Sequence, residues 1–359
     1  MRKIIFTLLS FLVPFLSYSY DIKIDGLCYN LNKEDKTAEV TYILGNKFNG
    51  DYFTGDITIP EKFISGGVQY SVVCIGDRAF HDCSNLNSVV IPNSVKTIGS
   101  GAFSGCKYIS SIVLGDSVET IGYQAFFGCF FNLVSINIPT SVSYIGGKAF
   151  ESCNNLTSFT VPDSVKSIEY GTFLDCSNLT SVSIGNSVDT IGNLAFRNCT
   201  ELSKVVIGKS VNHIGYYAFE NCKNLRDVFC YAEIVPTVAG FAGFEESRLP
   251  FATLYVPRSS LNDYKSTYPW RIFGKILPIE DYTGIDVIEN YPSSFSLSDN
   301  AVVIKNKNLE GKKVSVYSVD GCLLGCSVIE FGECSVHTNL KTGSVVLVMI
   351  DKKCFKVKL

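Results

Sequence analysis

Histidine is scarce in this chain. His81, His213 and His337 are the three it has in 359 residues, and no two stand at a metal-ligand spacing. No metal and no cofactor is therefore expected. Basic residues are not concentrated either: 31 Lys and Arg stand against 34 Asp and Glu. Nucleic acid calls for a concentrated basic face, so that partner is set aside. Beyond the first segment no apolar run approaches the ~20 residues that cross a bilayer as a helix, and no transmembrane segment is expected.

The first segment itself reads as an export signal. Arg2 and Lys3 precede an apolar run, Ile4 to Leu16, broken only by Thr7, Ser10 and Pro14. Ser17-Tyr18-Ser19 places small residues at the two positions a signal peptidase reads. The first cysteine is Cys28, too late for a lipid anchor at the cleavage point. Cleavage after residue 19 leaves 29 basic and 34 acidic side chains, a net charge of −5.

Cysteine is plentiful, with 14 in the chain, and in an exported protein that number ordinarily means disulfides. The spacing argues otherwise. Cys83, Cys106, Cys129, Cys153, Cys176, Cys199 and Cys222 recur every 23 residues, with one step of 24. A phenylalanine stands three residues before each (Phe80, Phe103, Phe126, Phe150, Phe173, Phe196, Phe219), and an isoleucine five before that (Ile75, Ile98, Ile121, Ile145, Ile168, Ile191, Ile214). One unit reads L-x-x-V-x-I-(P/G)-x-S-V-x-x-I-G-x-x-A-F-x-x-C. A fixed period of this length signals a solenoid. The L-x-x-V-x-I stretch ends with period two, a short strand with one buried face. Pro92, Pro139 and Pro162, or Gly115, Gly185 and Gly208, end it. The repeated Ser holds the turn through its hydroxyl, and Ala-Phe-x-x-Cys is expected to form a short helical turn. Seven buried side chains do not offset the entropy of ordering 23 residues, so a lone unit cannot fold. Stacked at ~4.8 Å, seven units span roughly 35 Å.

These phrases resemble the BspA-like leucine-rich repeat over about residues 71–229. Asp25 to Tyr29 and Thr54 to Pro60 resemble that family's amino-terminal β cap. Leu254 to Pro257, Tyr264 and Trp270 to Phe273 resemble its closing segment. The resemblance implies a surface or secreted protein of the kind used for attachment to host matrix or for coaggregation. Two departures stand out. Glu169 replaces the Gly after the repeat Ile, which implies that this position does not demand a positive φ. One extra residue lies in Phe130-Phe131-Asn132 and reads as a bulge. After a polar stretch at 281–300 the repeat phase is lost, and short alternating strands with turn signals at Asp320-Gly321 read as a small β-sandwich. Val316 to Gly321, Leu340 to Gly343 and Lys356 to Leu359 are similar to type IX secretion sorting tails, although Ser344 and Val345 stand where such tails carry a Tyr.

The expected fold is therefore mainly β. A leader at 1–19 and an amino-terminal cap at 20–70 precede about seven units at 71–229. A closing cap at 230–282 follows, then a linker and sandwich tail at 283–359.

Candidate chemistry is thin. His81-Asp82-Cys83 lines up base, acid and thiol in sequence, but catalysis needs convergent side chains, and Cys83 occupies the repeated core position. The seven thiols share one phase and point the same way, which favours a buried column of free thiols over a chain of disulfides. Cys28 with Cys74, and pairs among Cys322, Cys326, Cys334 and Cys354, are left open. The sequence offers no enzyme constellation. It does offer a binding face: Ser88, Val90, Ser111, Val113, Ser135, Asn137, Ser158, Thr160, Ser181, Ser183, Lys204 and Val206 point out of the strand sheet. That face suits a protein or a glycan of a host matrix or another bacterial surface. Phe127, Phe130 and Phe131 occupy places that are polar in other units and form a candidate apolar contact patch. Adhesion to a macromolecule is the leading function, and glycan binding for nutrient capture is the alternative.

Overall fold

The computed structural model describes residues 20–42, 53–240, 243–281, 294–298, 301–305, 311–318, 323–330, 333–338, 345–350 and 353–358. The leader at 1–19 and the turn phrases at 320–321 and 340–343 lie outside the described residues. The chain divides into two units, Met1–Ile279 and Glu280–Leu359.

The first unit is a β-solenoid. The L-x-x-V-x-I stretches build a broad parallel sheet: Leu86–Val90 and Ser111–Val113, then Ser158–Thr160, Ser181–Ser183, Lys204–Ile207, Asp227–Cys230, Thr253–Val256 and Lys275–Pro278. The repeat isoleucines lie on a narrow sheet of two-residue strands, Thr97–Ile98, Thr120–Ile121, Tyr144–Ile145, Ser167–Ile168, Thr190–Ile191 and His213–Ile214, paired Ile to Ile. Alternation puts Val89, Phe159, Val182 and Val205 inward and their neighbours outward. The coil count exceeds the seven cysteine-phased units, reaching about nine turns. Gly55–Thr58 pairs with Leu86–Val90 upstream, and Phe244 continues the phenylalanine column downstream. From Phe53 to Phe244 successive rings lie 4.8 to 5.6 Å apart.

The third side of each coil is not the expected helical turn. Two residues per coil, two before and two after the Phe, have positive φ: Arg78 and Asp82, Gln124 and Gly128, Lys148 and Ser152, Leu194 and Asn198. A right-handed helix cannot contain them. Their N–H groups point along the solenoid, so Arg78, Phe80 and Asp82 donate to the carbonyls of Ser100, Ala102 and Ser104 in the next coil. The glycine after the repeat Ile has a different role and no positive φ. A Cβ on Gly99, Gly122 or Gly192 would lie 2.6 to 2.7 Å from the backbone of the preceding coil. Glycine there permits close approach of two main chains.

The second unit has two antiparallel sheets. One orders Ser294–Ser298, Ala301–Lys305 and Glu333–His337; the other orders Leu323–Val328, Lys313–Ser318, Val345–Ile350 and Lys353–Lys358. Val302, Ile304, Val314, Val316, Val336 and Val348 share one core between them, which makes the expected sandwich.

Candidate functional site

The cysteine column is built into the turn side. All seven thiols are free and buried. From Cys106 onward, each Sγ–H donates to the carbonyl of the phenylalanine one coil earlier: Cys106 to Phe80 at 3.1 Å, Cys176 to Phe150 at 3.1 Å, Cys199 to Phe173 at 3.2 Å. In the eighth coil Ser247 takes the same place and donates its hydroxyl to Phe219 O. Burial pushes the Cys83 thiol up to about 11 and the Cys222 thiol up to about 12. Such thiols are poor nucleophiles. His81 Nε2 lies 3.3 Å from Asp82 Oδ2 at the surface, while Cys83 is buried, so the tripeptide does not converge on a reacting centre. Among the described residues no group of three or more His, Cys, Asp or Glu is placed to hold a metal ion. Cys28 and Cys74 are free, as are Cys326 and Cys334.

The outward face of the broad sheet carries two register-aligned rows. Ser88 and Ser111 form one segment of the first row; Ser158, Ser181, Lys204, Asp227 and Thr253 form the other. Val90 with Val113, then Thr160, Ser183, Val206, Phe229 and Tyr255, form the second. Ser111, Ser158, Thr160 and Lys204 are exposed; Ser88, Ser181 and Ser183 are half-buried. Ser88 Oγ donates to Asp56 Oδ1 at 2.6 Å. The rows run further than the sequence reading took them, into the stacked pair Phe229 and Tyr255, with ring centres 4.6 Å apart. Strand phase was the available signal: Asp227–Cys230 repeats the spacing of Lys204–Ile207.

Both rows are interrupted at the 24-residue coil. Ser135 and Asn137 are exposed, but 132–139 forms no strand, and the broad sheet stops at Val113 and resumes at Ser158. The inserted residue lies between Cys129 and Leu133, and beyond it the coil is back in phase: Ile145 pairs with Ile121, and Thr157 N donates to Val134 O as Thr180 N does to Thr157 O. Phe130 folds back over Gly128, its ring 3.2 Å from where a Cβ would be. Phe127 is half-buried. Phe131 is half-exposed and stacks on Tyr108, ring centres 5.2 Å apart, with its N–H donating to Lys107 O. Val134 and Val113 are as exposed as these rings. The three phenylalanines thus separate: one closes the turn, one is half-covered, and Phe131 joins Tyr108 at the surface. Tyr108 was missed by sequence. Its signal was positional, because other coils carry Asn85, Asn155, Asn178 or Asn224 two residues after the cysteine.

The sequence matches the family described as BspA type leucine-rich repeat region, in six copies, over residues 73–177 and 120–238. It is 30% identical to a leucine-rich repeat protein of Treponema pallidum, covering 57% of this chain and 90% of that one, with a TM-score of 0.49. A leucine-rich repeat protein from Bacteroides ovatus is 23% identical, covering 73% of this chain and 77% of that one, TM-score 0.48. A leucine-rich cell surface protein from Faecalibacterium prausnitzii is 21% identical, covering 72% and 94%, TM-score 0.30. Comparison with curated proteins returns no match. Among the described residues no helix is long and apolar enough to cross a membrane.

Proposed function

We propose, because the chain belongs to the BspA-type leucine-rich-repeat family, that it is an exported binding protein whose solenoid attaches to a protein of a host matrix or of another bacterial surface. The observation that carries this reading is the patch at the irregular coil. Tyr108 and Phe131 are half in water at places where other coils carry Asn or Glu, and Val134 stands where they carry Asn87, Ser110, Thr157, Thr180, Ser203 or Arg226, all polar. Large exposed apolar side chains cost solubility and contribute nothing to the core, whereas in a protein interface stacked rings are the usual anchors. The hydroxyl rows on either side supply a polar rim. Glycan capture by Ser158, Thr160, Ser181 and Ser183 is the competing reading, favoured by the outward alignment of their hydroxyls.

In this reading residues 1–19 direct export, the boundaries at 70 and 229 separate caps from repeats, that at 282 separates the closing cap from the linker, and the sandwich tail serves sorting or attachment. The test is surface plasmon resonance of the purified chain against a panel of matrix proteins. The Tyr108→Asp/Phe131→Asp variant is expected to lose at least tenfold in affinity with its melting temperature nearly unchanged. A panel without a single binder, or a double variant that binds as well as wild type, overturns the reading.

A further inference from the structure

The main chain of the irregular coil is open on the broad-sheet side. In regular coils each strand is laddered to both neighbours, as Lys204–Ile207 is to Ser181–Ser183 and to Asp227–Cys230. The bonds run on past the strand ends, where Ile91 N donates to Val113 O and Ile184 N to Val206 O. The corresponding bonds at the irregular coil, from Leu114 N to Asn137 O and from Ile138 N to Thr160 O, are not formed among the described residues. Nor does any main-chain N–H from Leu133 to Ile138 donate to another described main-chain group. The coil is fastened on either side of this stretch. Asn132 Nδ2 donates to Tyr108 O, and Ser141 Oγ to Val118 O. Toward the following coil one main-chain rung remains, Thr157 N to Val134 O.

The opening reaches the core. Ile112, Leu114, Ile136 and Ile138 are 6, 9, 8 and 9% exposed, whereas Val89, Ile91, Val205 and Ile207 in laddered coils are at 2% or less. The surroundings are uncharged. No Asp, Glu, Lys or Arg lies in 108–115 or in 131–142. Val113 and Val134 stand half exposed beside the Tyr108–Phe131 stack.

We infer that an extended, uncharged polypeptide segment of the partner adds here as a strand, its main chain pairing with the open groups of 112–114 and 135–138 and its apolar side chains lying on Val113 and Val134. The inference rests on the protein-binding reading of the neighbouring stack and names the form the partner takes. Unpaired N–H and C=O groups at strand spacing are complemented by another extended main chain, which carries the same groups at the same spacing. A helix uses its main-chain groups internally and has none to offer. A charged segment would give up its hydration here and find no counter-charge. No rung between 112–114 and 135–138 has to break for the new strand to pair.

The full exported chain is to be panned against a phage-displayed library of random 12-residue peptides, and the enriched peptides synthesised. They are expected to be uncharged and to bind with a Kd that changes less than twofold between 50 and 500 mM NaCl. Methylating alternate main-chain nitrogens of the peptide removes donors and leaves every side chain in place. One of the two alternate sets is expected to lower affinity at least tenfold. Bound peptide is expected to slow deuterium exchange at 112–114 and 135–138 at least tenfold and to leave 181–184 unchanged. Absence of enrichment, a charged consensus, affinity indifferent to both methylated sets, or protection confined to other segments overturns the inference. Binding that is lost in Tyr108→Asp/Phe131→Asp but indifferent to methylation overturns it and leaves the protein-binding reading of the stack standing. Strand pairing at 135–138 that survives the double variant does the reverse.

Discussion

At the scale of single residues, the repeated cysteine is a hydrogen-bond donor of the right size. It fills a small apolar space and satisfies the carbonyl of the phenylalanine one coil back, as Cys199 does for Phe173. Ser247 shows that a hydroxyl can do the same for Phe219. Cys199→Ser is therefore expected to cost about 1 kcal/mol or less. Cys199→Ala, which loses both the bond and the sulfur volume, is expected to cost about 2 kcal/mol. Urea unfolding of the two variants decides the order. Much of this was legible. A common phase, an odd number and parallel side chains pointed to free thiols, and the structure keeps all seven free. The acceptor was not legible, because it lies 26 residues upstream and depends on the turn side, where left-handed residues replace the expected helical turn. Asp82, Asn198 and Asn221 were the available signal, since Asp and Asn tolerate that conformation best after glycine. The repeated serine was read as a local turn device. In the structure Ser141 instead donates to Val118 O of the neighbouring coil at 2.6 Å.

At the scale of elements, the 24-residue coil interrupts both parallel sheets of the stack. The broad sheet loses its strand over 132–139, and the narrow sheet loses the rung at Glu169. Both departures were visible in the sequence as an insertion and a missing glycine. Their shared consequence was not, because sequence shows which residue is extra but not which hydrogen bonds it removes. The glycine rule explains the second break. Gly122 and Gly192 let main chains close to bonding distance; Glu169 carries a Cβ at the same place, and among the described residues its N–H makes no bond to Ile145 O. Opening free energy follows local bonding, so amides of 135–138 and 167–169 are expected to exchange with deuterium at least tenfold faster than those of 181–184 and 190–192. Hydrogen exchange by mass spectrometry resolves these segments. Equal protection would show that the coil is held by its core contacts alone.

At the scale of the whole molecule, the thiol column makes stability depend on alkaline pH. A buried thiol raised from about 9 to about 11 or 12 keeps its proton in the folded state after the unfolded chain has released it. The unfolded state then binds fewer protons, and stability falls as pH rises. The contribution is fully present below pH 9 and is lost between about 9 and 12. Each thiol removes about 1.4 kcal/mol per pH unit in that window. With a column of such groups, the urea midpoint is expected to be flat from pH 6 to 8.5 and to drop steeply above pH 9. Replacing Cys176 and Cys199 by Ser is expected to make the drop shallower. A midpoint that does not move between pH 8.5 and 10.5 would show that the column does not govern alkaline unfolding. The solenoid was legible because its period reports it directly, and the sandwich because its strands alternate after that period ends. The candidate surface was legible only in part, because it is made by exceptions to the period: Tyr108 stands out only once the coils are aligned with one another.

The irregular coil behaves as a stacking fault does in a crystal. On either side of it the layers are in perfect register: Ser88 on Ser111 before it, Ser158 on Ser181 after it. The offset of one residue is confined to a single layer and does not accumulate along the axis. At a fault of this kind a crystal leaves exposed what its regular layers cover, and the half-exposed stack of Tyr108 and Phe131 borders this one.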